Sequence, residues 1–113
     1  MFKYGINGIK LSYKKGKLIL LTAFGIIALV ASYLFGVTQY EWIFVIFSIS
    51  FVFTSEVVNT GVELTCDLID KNENEHIKEI KDISAGAVLL SAITAFIIGC
   101  IIFIPRLVEY IWM

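Results

Sequence analysis

The sequence has little of what a soluble catalytic domain uses to build turns and polar sites. It holds one proline, one histidine and two cysteines, and only 17% of its residues are charged. Cys66 and Cys100 fall near opposite ends of two helical patterns, which argues against a disulfide and makes both packing residues. There is no zinc-type cysteine spacing and no glycine-rich phosphate loop. The formal net charge is -1, so no basic excess points to nucleic acid as a partner. The basic N-terminus is not read as a signal peptide, because its apolar run is long and no small-residue cleavage site follows.

What is present is apolar. Of the 113 residues 58% are hydrophobic, and the mean hydropathy is +0.86, far from the balance of a soluble domain. A helix needs about 20 apolar residues to cross a hydrocarbon core. Three segments meet that length: 18–35, 42–62 (if Glu56 and Asn59 are tolerated inside it), and 85–104, which Pro105 is expected to close. No soluble core remains after these are assigned. The expected fold is an all-α integral membrane domain spanning 1–113.

Ahead of the first span, residues 1–17 place Phe2, Ile6, Ile9 and Tyr13 on one helical face. Lys3, Asn7, Lys10, Lys14 and Lys17 share another. That segregation predicts an amphipathic helix in the membrane interface. The alternative is an unstructured basic tail, since Gly5 and Gly8 weaken a helix. Lysine bias sets the orientation. The N-terminal arm and the 64–83 loop carry the lysines, whereas GVTQYE, between the first two spans, carries none. The N-terminus is therefore expected to be cytoplasmic and the C-terminus outside, with Tyr40, Trp42, Tyr110 and Trp112 as an outer aromatic belt. Arg106 is the exception to this bias.

The stretch SEVVNTGVELTCD, residues 55–67, carries the chemistry. At about 100° per residue, Glu56, Asn59, Glu63 and Asp67 project from one stripe about 80° wide. An ionisable group within a membrane helix costs about 2.5–3.5 kcal/mol at the centre, and such groups mark interiors and functional sites. A polar ladder joining helices is the bland alternative. A partly desolvated Glu56 suits a general base, and Glu63, nearer water, suits Mg²⁺. Base plus metal is what phosphoryl transfer from a water-soluble donor to a lipid hydroxyl needs. Lys81 and Asp82 precede the third span, where they could meet a nucleotide or simply serve topology and helix capping. His76, in a polar loop, is read as exposed and not as a ligand. A channel or transporter would spread its polar groups through the depth of the spans, and here they collect at the cytoplasmic end.

The pattern Ser55-Glu56-x-x-Asn59-Thr60-x-x-Glu63-x-x-x-Asp67, followed by Lys81-Asp82-x-x-Ala85-Gly86-Ala87-Val88, resembles the small prokaryotic diacylglycerol kinase family. That family includes the undecaprenol kinases of Gram-positive bacteria. The resemblance implies a homotrimer in the bacterial plasma membrane, with Mg-ATP as donor and a membrane lipid alcohol as acceptor. It implies Glu56 as base, Asn59 as an active-site residue and Glu63 as a metal ligand. Lys81 and Asp82 would contact the nucleotide, with Tyr4 near the adenine and Asp67 structural or nucleotide-proximal. The Ser-Glu-x-x-Asn-Thr and Asp-x-x-Ala-Gly-Ala forms favour undecaprenol as acceptor, with diacylglycerol as the alternative. One departure stands out: Gly16 falls where the family carries a further metal-binding glutamate. A site with fewer ligands, a substitute such as Glu73 or Glu75, or a non-catalytic member would each account for it.

Overall fold

A computed structural model describes residues 1–72 and 74–112 as four helices. These are α1 (Phe2–Lys14), α2 (Ile19–Phe35), α3 (Gln39–Ile69) and α4 (Glu75–Trp112). The molecule extends 58 × 33 × 20 Å, and its long axis matches the roughly 57 Å that a helix as long as α4 spans at 1.5 Å per residue. α3 and α4 are long and apolar enough to cross a membrane, and α1 and α2 reach that length and apolarity only together, as a pair bent by 100° at the break between them. α3 packs along α4 and also meets α2 and α1.

Local chemistry sets each boundary. Gly36 ends α2 in the left-handed region at φ 65°, and its N–H and that of Val37 return to Tyr33 and Ser32. Two residues later Thr38 caps α3: its hydroxyl accepts from the Glu41 N–H while the Glu41 carboxylate accepts from the Thr38 N–H. After α3, Asp70 accepts from the Asn72 N–H and the Asn74 amide, and Asn74 in turn accepts from the Ile77 N–H in the first turn of α4. Hydroxyls inside the apolar helices are satisfied locally. Thr22, Ser32, Ser48, Thr60 and Thr94 each donate to the carbonyl four residues earlier, as a low-dielectric medium demands.

The packed core is small. Val37, Val45 and Ile102 are buried against Ala28, Phe35, Trp42, Ile98 and Phe103, and the Phe35 and Phe103 rings meet at 6.0 Å. Most large apolar side chains instead face outward, among them Phe24, Ile27, Phe47, Phe96 and Ile101. Such exposure in a single chain requires an apolar medium or further subunits.

One helix boundary differs from expectation. Pro105 does not close the third span: α4 continues through it to Trp112. Pro105 lacks the N–H that would bond to the Ile101 carbonyl and its ring crowds that carbonyl, and beyond it Arg106 is held by an ion pair to Glu41 at the start of α3. That pair also neutralises the one cation that departs from the lysine bias. Trp42 packs against the core, whereas Tyr40, Tyr110 and Trp112 are exposed as a belt requires. Cys66 and Cys100 are both free thiols.

Candidate functional site

α3 runs unbroken through 55–67, so the stripe inferred from spacing is real geometry. It borders the buried side of the helix, where Val45, Ser48, Val52 and Cys66 lie, and passes from half-buried Glu56 and buried Asn59 to exposed Asp67. Glu56 is half-buried, and among the described residues its carboxylate forms no ion pair. One turn on, Asn59 is buried and donates its amide N–H to Glu63 Oε1 at 3.0 Å. That bond fixes which amide atom is oxygen, because a carboxylate can only accept. Asn59 Oδ1 is consequently a buried acceptor with no donor among the described residues.

The partner of Glu63 across the fold is Lys17. Its Nζ lies 3.1 Å from Oε2 and 3.4 Å from Oε1 of the same carboxylate. The corner between α1 and α2 brings it there. Gly16 adopts φ 77°, a left-handed conformation that costs a side-chain-bearing residue about 1–2 kcal/mol. The Gly16 and Lys17 N–H groups close onto the Tyr13 and Ser12 carbonyls, and Leu18 is buried directly after them. A hydrogen bond between the Tyr13 and Thr22 hydroxyls spans the corner. Lys17 carries no local signal for this role, since its partner is 46 positions away.

Towards the loop the stripe continues to Asp67, whose Oδ1 accepts from Lys81 Nζ at 3.1 Å, tying α3 to α4. Asp82 pairs with Lys78 at 2.8 Å one turn before it. Lys81 thus sits beside the α3 stripe, while Asp82 pairs within its own helix, and both lie in the part of α4 nearest Asp70 and Asn74. Tyr4 is not brought into this cluster by any contact: it is exposed in the first turn of α1 and makes no hydrogen bond or ring contact with the described residues. Of the suggested substitute acids, Glu75 is exposed in the first turn of α4 and Glu73 lies outside the described residues. His76 is exposed.

No three Asp, Glu, His or Cys side chains among the described residues gather to hold a metal ion by themselves. The donors at hand are the Glu63 carboxylate and the unpartnered Asn59 Oδ1, both hard oxygens on one helix face. Mg²⁺ is commonly held by one or two carboxylates, with phosphates and water completing its shell. The pair therefore fits an ion delivered with a nucleotide, and not a cage made wholly of protein.

Residues 3–103 match the sequence model of the family described as prokaryotic diacylglycerol kinase. The chain is also 37% identical over 79 residues to the undecaprenol kinase of Bacillus subtilis (strain 168). That alignment takes in 70% of this chain and spans 64% of the length of the relative. With the family match running from α1 to residue 103 of α4, the chain belongs to the prokaryotic diacylglycerol kinase family.

Proposed function

We propose that the chain is an ATP-dependent lipid kinase that moves the γ-phosphoryl group of ATP onto the hydroxyl of a membrane lipid alcohol, with undecaprenol the favoured acceptor. The observation that supports it most is the alignment of Glu56, Asn59, Glu63 and Asp67 on one face of α3, running from half-buried Glu56 and buried Asn59 to exposed Asp67 and its ion pair with Lys81. In this reading Glu56, deepest on the stripe, takes the proton from the lipid hydroxyl. The lipid oxygen then bonds to the γ-phosphorus, the bond to the β–γ bridging oxygen breaks, and ADP leaves with its charge. Asn59 and Glu63 would hold Mg²⁺, which supplies neutralisation of the donor phosphates. Lys81 and Asp82 bind and orient the nucleotide, and Asp67 holds Lys81 in place. Tyr4 would reach the adenine only through a nucleotide bridging α1 to α4.

The lipid must present its hydroxyl where the stripe meets water, with its tail along the outward apolar faces. Lysine bias puts that end, and the N-terminus, on the cytoplasmic side of a bacterial plasma membrane, with α1 lying in the interface and the C-terminus outside. The homotrimer is what the family resemblance implies, and the outward apolar faces could meet neighbouring subunits as well as lipid. A second reading, a non-catalytic family member, draws on Gly16, which occupies the position of an expected acidic ligand. The deciding experiment is transfer from labelled ATP by the purified protein in lipid micelles. Undecaprenol and diacylglycerol are offered separately, with and without Mg²⁺. Label on undecaprenol that depends on Mg²⁺ supports the proposal, and label on diacylglycerol alone reassigns the acceptor. Absence of label from a well-folded oligomer favours the non-catalytic reading.

A further inference from the structure

We propose that Lys17 is a built-in counter-ion that competes with divalent metal for Glu63, so that the site loads metal efficiently only when nucleotide phosphates draw the lysine away. The inference rests on the reading of Glu63 and Asn59 as the metal-facing donors. Three observations carry it. The Lys17 ammonium covers both oxygens of the Glu63 carboxylate, at 3.1 and 3.4 Å. The Glu63 Oε1 atom also accepts from Asn59, so the carboxylate is already engaged by two donors. Meanwhile Asn59 Oδ1, 6% exposed as a residue, is an acceptor with nothing to accept from among the described residues.

A buried orphan acceptor one turn from a carboxylate is the arrangement a cation would relieve. A cation can approach Glu63 only by displacing the ammonium or by sharing the carboxylate against its repulsion. The displacement is feasible because the pair is partly solvated: the Lys17 and Glu63 side chains are 36% and 32% exposed. Partly exposed ion pairs are weak enough for a multivalent competitor to break. Once displaced, the lysine has four methylenes of reach and a compact charge suited to a phosphate oxygen. Nucleotide phosphates would then hold Lys17 while the ion that accompanies them takes Glu63. The corner at Gly16 and buried Leu18 anchors Lys17 on the backbone side, so only the side chain needs to move.

The test is Mn²⁺ binding followed by electron paramagnetic resonance, on the purified full chain in lipid micelles without nucleotide. Lys17→Met should bind one Mn²⁺ about fivefold more tightly than wild type, or better, the scale set by loss of a partly exposed pair. Lys17→Arg, which keeps the charge, should match wild type, and so should Lys10→Met, which removes an exposed lysine of α1. The gain should vanish in the Lys17→Met, Glu63→Gln double variant. With the β,γ-imido analogue of ATP present, the difference between wild type and Lys17→Met should shrink, because the phosphates then occupy the lysine. Equal Mn²⁺ affinity of wild type and Lys17→Met overturns the proposal, as does a gain that survives Glu63→Gln. Should Lys17→Met not fold, Lys17→Gln gives the same reading with a polar neutral side chain. Because none of these readouts needs turnover, a wild-type protein that shows this Mn²⁺ pattern yet transfers no phosphate would sink the kinase reading and leave the lysine's role standing.

Discussion

Arg106 and Glu41 are 65 positions apart in the chain and are joined by an ion pair that ties the start of α3 to the far part of α4. The same carboxylate accepts from the Thr38 N–H, so one side chain both caps α3 and anchors α4. The pair lies at the end of the molecule opposite the polar cluster. Removing either partner should lower the melting temperature of the micellar protein. The double variant Glu41→Gln, Arg106→Met should be no worse than the weaker single one, since neither group is then left alone. Additive losses would show that the two side chains act separately.

Glu56→Gln should cut turnover by about 10²–10⁴, the range typical of a lost general base. Assembly, read by size-exclusion chromatography, should be unchanged, because the Glu56 carboxylate forms no ion pair among the described residues. A variant that keeps nearly full turnover would take Glu56 out of the base role.

Lys81→Met should raise the KM for ATP by roughly tenfold or more, as loss of a charge-assisted contact to phosphate would. The Asp67–Lys81 pair is partly exposed and contributes about 1 kcal/mol at most, so its loss alone should cost little stability. Asp67→Asn, which leaves the lysine without its carboxylate on α3, should show a milder version of the same KM effect. Equal loss of kcat with KM unchanged would place Lys81 in the transition state and not in nucleotide binding.

Gly16→Glu is the change that comparison with the family pattern invites, and the fold argues against it. Any side chain at φ 77° strains the corner, by about 1–2 kcal/mol. Space is not the obstacle, since nothing lies within 4 Å of a Cβ at this position; the backbone conformation is. The expected result is lower thermal stability with no gain in activity. Gly16→Asn should be milder, because Asn tolerates the left-handed region better. A stable Gly16→Glu protein with increased turnover would mean that the corner rearranges to present the carboxylate.

Much was legible from the chain alone because membrane burial and helical periodicity are local properties. A run of 18 to 21 apolar residues has few alternatives to a helix that can span a bilayer, and a 3.6-residue period places Glu56, Asn59, Glu63 and Asp67 on one face whatever α3 packs against. The conformation of Gly16, the passage of α4 through Pro105 and the partners of Glu63 and Arg106 were not legible. Each depends on which distant backbone segment comes alongside. Lys17 stands in a run with Lys14 and Lys15, identical to them in charge and similar in setting. Only the left-handed turn at Gly16, and the angle at which it sets α1 against α2, turns that one lysine onto Glu63 and leaves the others exposed. Pairing over 46 positions is decided by tertiary geometry, because no periodicity or propensity in a single stretch records what will lie across from it.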